Sequence, residues 1–170
     1  MDTLTTPRLD LLPLDPDGAR RLLAGAGGAA GRLRAPGYPD AGDRAGAERY
    51  LRVWAESGDP APFGAYEILR REDGTLIGGA GFHGPADGAG RVTVGYGLVP
   101  AARGRGWASE ALRALVEHAR RHGAAGVLGD TDPGNTASRR VMVAAGLLPV
   151  GEDDRLARYA LTWARAAASS

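Results

Sequence analysis

The chain has 170 residues, of which 44% are hydrophobic and 24% are charged, a composition typical of one globular domain with a single core. Its formal net charge of +1 provides no broad electrostatic field for nucleic acid or for a membrane surface, and the absence of cysteine excludes disulfides and thiolate chemistry. All 21 basic residues are arginines, which excludes a lysine Schiff base.

No apolar run approaches the roughly 18 residues that a membrane span requires. The first eight residues lack the basic and apolar segments of a signal peptide. We therefore expect residues 1–170 to form a single cytoplasmic domain that holds no metal and contacts neither nucleic acid nor a membrane directly.

The first third of the chain predicts a strand, two helices and a loop. Weak alternation indicates a strand over Leu9–Leu14, followed by a helix over Gly18–Leu23 that Asp15 or the nearby Asp17 caps. The small-residue stretch Ala24–Gly37 is expected to be a mobile loop, either a plain linker or part of a substrate wall. A second helix is predicted over residues 45–57 from its apolar face.

The middle of the chain predicts an antiparallel meander. Strands are expected over Phe63–Arg70 and Thr75–Phe82, joined by a turn with Asp73 and Gly74 at its tip. A second hairpin loop leads to the central strand, which ends at Leu98. These three strands predict one antiparallel sheet.

The last third predicts a crossover unit. Apolar residues at a 3.6-residue period indicate a helix that starts close to Trp107, and Gly126–Thr131 reads as a strand parallel to the central one. Asn135 is expected to cap a short helix, and Arg158–Trp163 to form the last strand. Residues 164–170 are expected to fray.

The loop over residues 103–108, here called the anion loop, has the features of an anion-binding site. A strand end followed by Gly104, Gly106 and a helix start leaves backbone N–H groups unpartnered at the positive end of the helix dipole, and Arg103 and Arg105 add cationic donors. This arrangement predicts a cradle for a diphosphate. An ordinary connection with solvent-facing arginines explains the glycines equally well.

The same residues can be compared with two other phosphate-binding loops. A P-loop is excluded because Trp107 and Ala108 follow Gly106 where Lys and Ser or Thr are needed. A dinucleotide fingerprint stays open, since Asp130 and Asp132 lie near the position of its acidic residue.

Three blocks of the sequence resemble the GNAT N-acetyltransferase superfamily. Arg103-x-x-Gly106-x-Ala108 matches that family's acyl-CoA signature, and the preceding VGYGLVP looks like its splayed central strand. Asn135–Leu147 is similar to its downstream Asn-x-x-Ser helix. Thr6–Leu14 resembles the start of the ribosomal-protein N-terminal acetyltransferase branch, so the likeness covers nearly the whole chain.

The resemblance implies an α/β (α+β) fold with a mixed, mostly antiparallel sheet, splayed at the central strand and flanked by helices. It also implies an acetyl-CoA-dependent N-acetyltransferase, a monomer or homodimer, acting on a protein N-terminal α-amine or a small-molecule amine by direct attack in a ternary complex. The alternative is a non-catalytic acyl-CoA-binding module of this fold, because Thr93 and Met142 stand where many relatives carry Glu and Tyr.

The resemblance also implies which residues bind the cofactor. Backbone groups near Leu98 and Val99 would pair with pantetheine and polarise the thioester carbonyl. Ser138 would contact the sulfur and relay a proton, with Asn135 beside it; apart from the resemblance, an ordinary hydroxyl in the first turn of a helix capped by Asn135 is the better explanation of both residues. The diphosphate would be held by Arg103, Gly104, Arg105, Gly106, Trp107 and Ala108.

The general base is the least defined residue. Thr93 cannot accept a proton near neutral pH. If the hairpin pairs Gly81 with Thr93, His83 lies on the same sheet face, and its ordinary pKa of about 6.5 suits this task. Glu67 is a second candidate, and an α-amine with a pKa of about 8 can instead lose its proton to a chain of waters.

Overall fold

The computed structural model describes residues 1–163, and the expected fraying of residues 164–170 lies outside that range. The helices are α1 (Pro16–Leu23), α2 (Ala41–Ser57), α3 (Trp107–Arg121) and α4 (Thr136–Ala144). The strands are β1 (Leu4–Thr5), β2 (Leu9–Pro13), β3 (Leu33–Arg34), β4 (Ala65–Arg70), β5 (Thr75–Phe82), β6 (Arg91–Leu98), β7 (Gly126–Thr131), β8 (Leu148–Glu152) and β9 (Ala157–Thr162).

The strands form one mixed sheet in the order β1-β2-β4-β5-β6-β7-β9-β8. All neighbours on this path are antiparallel except β6 and β7, which run parallel because α3 crosses over between them. The expected mixed, mostly antiparallel α/β sheet with flanking helices is therefore confirmed. Within residues 1–163, no helix is long and apolar enough to cross a bilayer.

The sheet splays at its centre. β6 pairs with β7 only from Arg91 to Thr93, opposite Gly126 to Leu128, although β6 continues to Leu98. On its other side β6 stays paired with β5 up to Leu98. The gap that opens beside Val94–Leu98 is called the fork below.

Helices cover both faces of the sheet. α3 packs on the face that carries Tyr66 and Phe82, whose rings lie against His118, and its fully buried Leu112 and Leu115 anchor it there. α2 lies over the opposite face, where Asp43 approaches Gly79. The two helices therefore lie on opposite faces of the sheet at β6.

Three local expectations are corrected. α2 begins at Ala41 rather than at residue 45, because Asp40 and Asp43 form a capping box. The stretch 24–37 is not a free linker: it contains β3, which pairs with β5, and Glu67 holds its backbone. The strand β8 is additional: it is short and fully exposed, and its Pro149 and Gly151 are residues that strands disfavour.

The register of the β5–β6 hairpin also differs from the one expected. Gly81 pairs with Gly95 rather than with Thr93, because Asp87 closes the turn on Arg91, later in the chain than that register requires: its N–H donates to the Arg91 carbonyl and its side chain accepts from the N–H groups of Ala89 and Arg91. The N–H of His83 donates to the carbonyl of Thr93 at 2.8 Å. His83 therefore lies directly opposite Thr93 and still on its face of the sheet.

Candidate functional site

The fork exposes backbone groups of β6. In an antiparallel pair alternate residues bond to the neighbouring strand, and the N–H of Val99 donates to the carbonyl of Ile77 at 3.0 Å. Tyr96 and Leu98, which alternate with such residues, therefore aim their N–H groups into the fork. The carbonyl of Val99 is also engaged, since it accepts from Ala102 at 2.9 Å. Of the two residues expected to pair with pantetheine, the geometry favours Leu98.

The anion loop follows directly. A 3₁₀ turn over Pro100–Ala102 engages the N–H of Arg103, and the next engaged amide is that of Glu110, which donates to Gly106 at 3.1 Å. The amides from Gly104 to Ser109 between them make no hydrogen bond to any atom of residues 1–163. They are the free donors of a helix start, at the positive end of its dipole.

Two glycines shape this run of amides. Gly104 and Gly106 both have φ of +80°, a left-handed conformation that side chains disfavour. No other residue approaches the Cβ position at Gly104, and only a nitrogen of Arg8 comes within 4 Å at Gly106. The loop therefore presents bare backbone to a ligand.

The side chains of the anion loop take different roles. The Nε of Arg103 donates to the carbonyl of Leu98 at 3.0 Å and closes one edge of the fork, while Arg105 is exposed. Trp107 is buried, with the guanidinium groups of Arg105 and Arg70 over its ring at 5.5 and 5.2 Å. Trp107 and the half-buried Ala108 thus offer a ligand their N–H groups.

The start of α4 faces the fork from the side of β7. The amide oxygen of Asn135 accepts from the N–H of Ser138 at 3.0 Å, which makes Asn135 the helix cap. The Ser138 hydroxyl lies 2.8 Å from the Tyr96 hydroxyl, which also donates to the Ser138 carbonyl at 3.1 Å. Met142 is buried against Gly129 and offers no proton.

Tyr96 is a candidate that sequence reasoning missed. Burial raises its pKa, although the hydrogen bond from Ser138 lowers it in part, so the phenol stays protonated at neutral pH. Its hydroxyl bridges β6 and α4 beside the fork. The only signal in the sequence was its place between Gly95 and Gly97 on the central strand, which carries no chemical information.

A cavity of about 340 Å³ lies on the other face of β6, beneath α2. Strand pairing aligns Gly79, Gly81, Gly95 and Gly97 on one face, and these residues form its floor because they have no side chains. We call it the glycine cavity. Its lining continues to Leu98 and Arg103, so it meets the fork at the end of β6.

Glu67 lies in the wall of the glycine cavity and is 1% exposed. Its carboxylate accepts from the N–H groups of Gly28 at 2.9 Å and Ala29 at 2.5 Å, and from the hydroxyl of Tyr38. Burial, reinforced by the charge of Glu67, raises the pKa of Tyr38 far above its ordinary value. These contacts give Glu67 a structural task, which is to hold the stretch 24–37 against β4.

His83 lies at one end of the glycine cavity. Its Nε2 occupies the space above Gly95, 2.5 Å from where a Cβ would stand. Burial, with the positive charge of Arg49, lowers the pKa of His83 below its ordinary value, while Asp130 opposes the shift. The imidazole is therefore neutral near pH 7 and can accept a proton.

Asp43 was not among the residues singled out from the sequence. Its Oδ1 lies 3.0 Å from the Cβ position of Gly79, and Gly79 pairs with Gly97, the neighbour of Leu98. Burial raises the pKa of Asp43 to about 7; a hydrogen bond from Asp40 lowers it, and the charges of Asp40 and Glu67 raise it. The spacing Asp40-x-x-Asp43 is a capping signature that could have revealed it.

Asp43 and His83 differ in their distance from Leu98, whose N–H points into the fork. Gly97 adjoins Leu98, whereas Gly95 is three residues from Leu98, roughly 10 Å along a strand. Asp43 is therefore the nearer of the two groups that can take up a proton. Among residues 1–163 there is no cluster of three or more His, Asp or Glu side chains that could hold a metal ion.

The sequence matches the family described as acetyltransferase (GNAT) domain over residues 8–148. An acetyltransferase from Agrobacterium tumefaciens str. C58 is 25% identical, with a TM-score of 0.64 over 96% of this chain and 95% of that chain. RimL, a ribosomal L7/L12 alpha-N-protein acetyltransferase in complex with coenzyme A, is 18% identical, with a TM-score of 0.66 over 95% and 98% of the two chains.

A ribosomal-protein-S5-alanine acetyltransferase from Vibrio fischeri is 12% identical, with a TM-score of 0.68 over 95% of this chain and 97% of that chain. At such identities this structure and RimL are similar to this chain in fold. No curated protein sequence matches the chain.

Proposed function

The chain belongs to the acetyltransferase (GNAT) domain family, and we propose that it transfers the acetyl group of acetyl-CoA to a primary amine by direct attack in a ternary complex. The observation that carries this proposal is the run of free amides from Gly104 to Ser109 beside the fork. Such amides at a helix N-terminus fit a diphosphate, because they donate hydrogen bonds and the helix dipole favours negative charge.

Several residues would hold acetyl-CoA. The amides of Gly104, Arg105, Gly106, Trp107 and Ala108 would bind the diphosphate, with the exposed guanidinium of Arg105 adding charge. The N–H of Leu98, aimed into the fork, would donate to the thioester oxygen. Acetyl-CoA supplies an acyl group activated as a thioester; the donor stabilises the charge that develops on its oxygen, which contributes roughly 3 kcal/mol in comparable sites.

Tyr96 and Ser138 would provide the proton for the departing thiolate. Their hydroxyls are 2.8 Å apart beside the fork, and Asn135 fixes the backbone of Ser138. The serine hydroxyl would give its proton to the thiolate and take one from the phenol, and water would then reprotonate the tyrosinate. This pair supplies what the absent tyrosine at position 142 provides in many relatives, and it weakens the case for a non-catalytic module.

The amine must lose a proton before it attacks. Asp43 and His83 both line the glycine cavity, which meets the fork at Leu98, so an amine entering there would pass either group. Asp43 would act directly or through one water, because it lies over the Gly79–Gly97 pair next to Leu98. His83 lies over Gly95, farther from Leu98, and would act through a longer water chain.

The acceptor is proposed as a protein N-terminal α-amine, with a small-molecule amine as the second class. The likeness of Thr6–Leu14 to the ribosomal-protein branch supports the first class, as does the shared fold of RimL and of the S5-alanine enzyme. A cytoplasmic location and a monomeric or homodimeric state stay predictions.

The test is release of free thiol from acetyl-CoA against a panel of peptide N-termini and small amines, together with calorimetric titration by acetyl-CoA and NAD. We expect acetyl-CoA to bind and thiol to be released with at least one amine. Binding without release across the panel would instead support the non-catalytic module. Binding of NAD in place of acetyl-CoA would contradict both readings.

A further inference from the structure

Arg8 is joined to the first turn of α3 through Glu110. The Glu110 carboxylate accepts from the Nε of Arg8 at 2.7 Å, from its N–H at 2.8 Å and from the Thr6 hydroxyl at 2.6 Å. Burial alone would raise the pKa of Glu110, but the hydrogen bonds from Thr6 and Arg8 outweigh it and hold that pKa below its ordinary value. Glu110 is 8% exposed, so it is a fixed and charged anchor.

The other edge of the same guanidinium faces the anion loop. Its Nη1 donates to the carbonyl of Arg105 at 2.9 Å, and its Nη2 lies 3.4 Å from the Cβ position of Gly106. Within the described residues, Arg8 is the only side chain that donates a hydrogen bond to the backbone of the anion loop. In the sequence, Arg8 is 97 residues from Arg105 and 102 residues from Glu110.

The two contacts together act on the conformation of the loop. Two residues with positive φ flank Arg105, so the peptide units on either side of it have many conformations open to them. Fixing the Arg105 carbonyl orients the peptide whose N–H belongs to Gly106. A ligand that binds several amides at once gains affinity when those amides are ordered beforehand.

We propose that Arg8 is a positioning residue for coenzyme A: anchored by Glu110, it sets the anion loop so that its amides converge on the diphosphate, and it places positive charge beneath Gly106. The inference rests on the proposed function. Arg8, which lies outside the loop signature, would then contribute part of the affinity for coenzyme A that is expected from the signature.

The experiment measures the Kd of CoA by calorimetry on the full chain. Arg8→Ala should raise the Kd of CoA roughly tenfold, the effect of losing one charge-assisted contact. The probe pantetheine, which lacks the diphosphate, should bind the variant as it binds the wild type. Arg8→Lys keeps the charge but cannot reach Glu110 and Arg105 together, so we expect it to restore less than half of the lost binding free energy.

Arg71→Ala is the matched control. Arg71 donates to the carbonyls of Thr6 and Pro7 at 2.8 and 3.3 Å, so it tethers the same segment without touching the anion loop. We expect its Kd for CoA to stay within about twofold of the wild type. Thermal unfolding of each variant checks that the fold is kept, and Arg8→Lys serves if Arg8→Ala does not fold.

The outcomes separate this inference from the proposed function. If the wild-type chain does not bind CoA, the proposed function fails. Unchanged CoA affinity in folded Arg8→Ala, equal losses for CoA and pantetheine, or an equal loss in Arg71→Ala would overturn the role of Arg8 alone. Full recovery in Arg8→Lys would mean that charge rather than loop geometry matters, and would contradict the positioning role.

Discussion

The two sides of β6 use different chemistry. On the side of the fork, the groups offered to a ligand are mostly main-chain donors: the N–H of Leu98 and those of the anion loop. On the side of the glycine cavity, the backbone is a bare floor, and the groups that can take up a proton are the side chains of Asp43 and His83. We infer that the fork binds the cosubstrate acetyl-CoA, and that the glycine cavity binds the amine and takes up its proton.

The strongest test of this difference is Gly106→Asp. The substitution places a carboxylate in the anion loop, at a residue with φ of +80°, and like charges in a desolvated contact cost several kcal/mol. The Kd of CoA should rise at least roughly 100-fold by calorimetry. Gly74→Asp is the control, since Gly74 also has positive φ and open space but lies in the β4–β5 turn. Equal CoA affinity in both variants would contradict the assignment of the anion loop to the diphosphate.

Glu67→Ala should affect stability rather than cosubstrate binding. It leaves the N–H groups of Gly28 and Ala29 and the Tyr38 hydroxyl without their acceptor, which costs about 3 kcal/mol of unfolding free energy. Urea unfolding measures this cost, with the exposed Glu72→Ala as a control that should change stability by less than about 0.5 kcal/mol. A large rise in the Kd of CoA would show that the two sides are not separate.

Asp43→Asn should lower kcat/KM roughly tenfold at pH 8, an effect of the size expected for a proton acceptor partly replaced by water. Because the pKa of Asp43 is raised to about 7, its ionised fraction grows as pH rises through 7, so the wild-type rate should rise there. The rate of the variant should not show this rise in its pH–rate profile. A limb that lies below pH 6.5 and disappears in His83→Gln would instead identify His83, whose pKa is lowered.

The same variant carries its own stability check. A carboxyl whose pKa is raised on folding reduces stability once it is ionised, and this loss develops as pH rises from its unfolded pKa toward 7. Asp43→Asn should therefore raise the melting temperature at pH 8. A fall in both rate and melting temperature would indicate damage to the α2 cap instead of loss of a base.

Ser138→Ala should have the smallest effect, a fall in kcat of about fivefold, because one hydrogen bond near the sulfur is lost. Tyr96→Phe breaks the same pair, so the double variant should be no slower than the slower single variant. The Kd of CoA should stay within about twofold in each. Additive losses would mean that Ser138 and Tyr96 act separately.

What the sequence predicted well is local. The start of α3 at Trp107 and the anion loop follow from a 3.6-residue period and two glycines within 20 residues, and the structure confirms the helix start. The antiparallel meander is confirmed as well. These features depend on neighbours along the chain, which a sequence displays directly.

What the sequence could not predict depends on distant contacts. Asp43 acquires its raised pKa only when α2 is laid over β5, and Glu67 binds Gly28 across 39 residues. The register that puts His83 opposite Thr93 is set by how Asp87 closes a turn. Arg8 stands in a recognised opening block, yet its contact with Arg105 needs the folded chain.

The central claim is that main-chain amides of the anion loop bind the diphosphate of coenzyme A. The most direct measurement is a titration of the ¹⁵N-labelled chain with CoA, followed by amide NMR, with pantetheine titrated in parallel. The amide chemical shifts of residues 104–108 should change and saturate as CoA is added, and should stay unchanged as pantetheine is added. Saturable binding of CoA that leaves those amides unmoved, with the largest shifts elsewhere, would contradict the account.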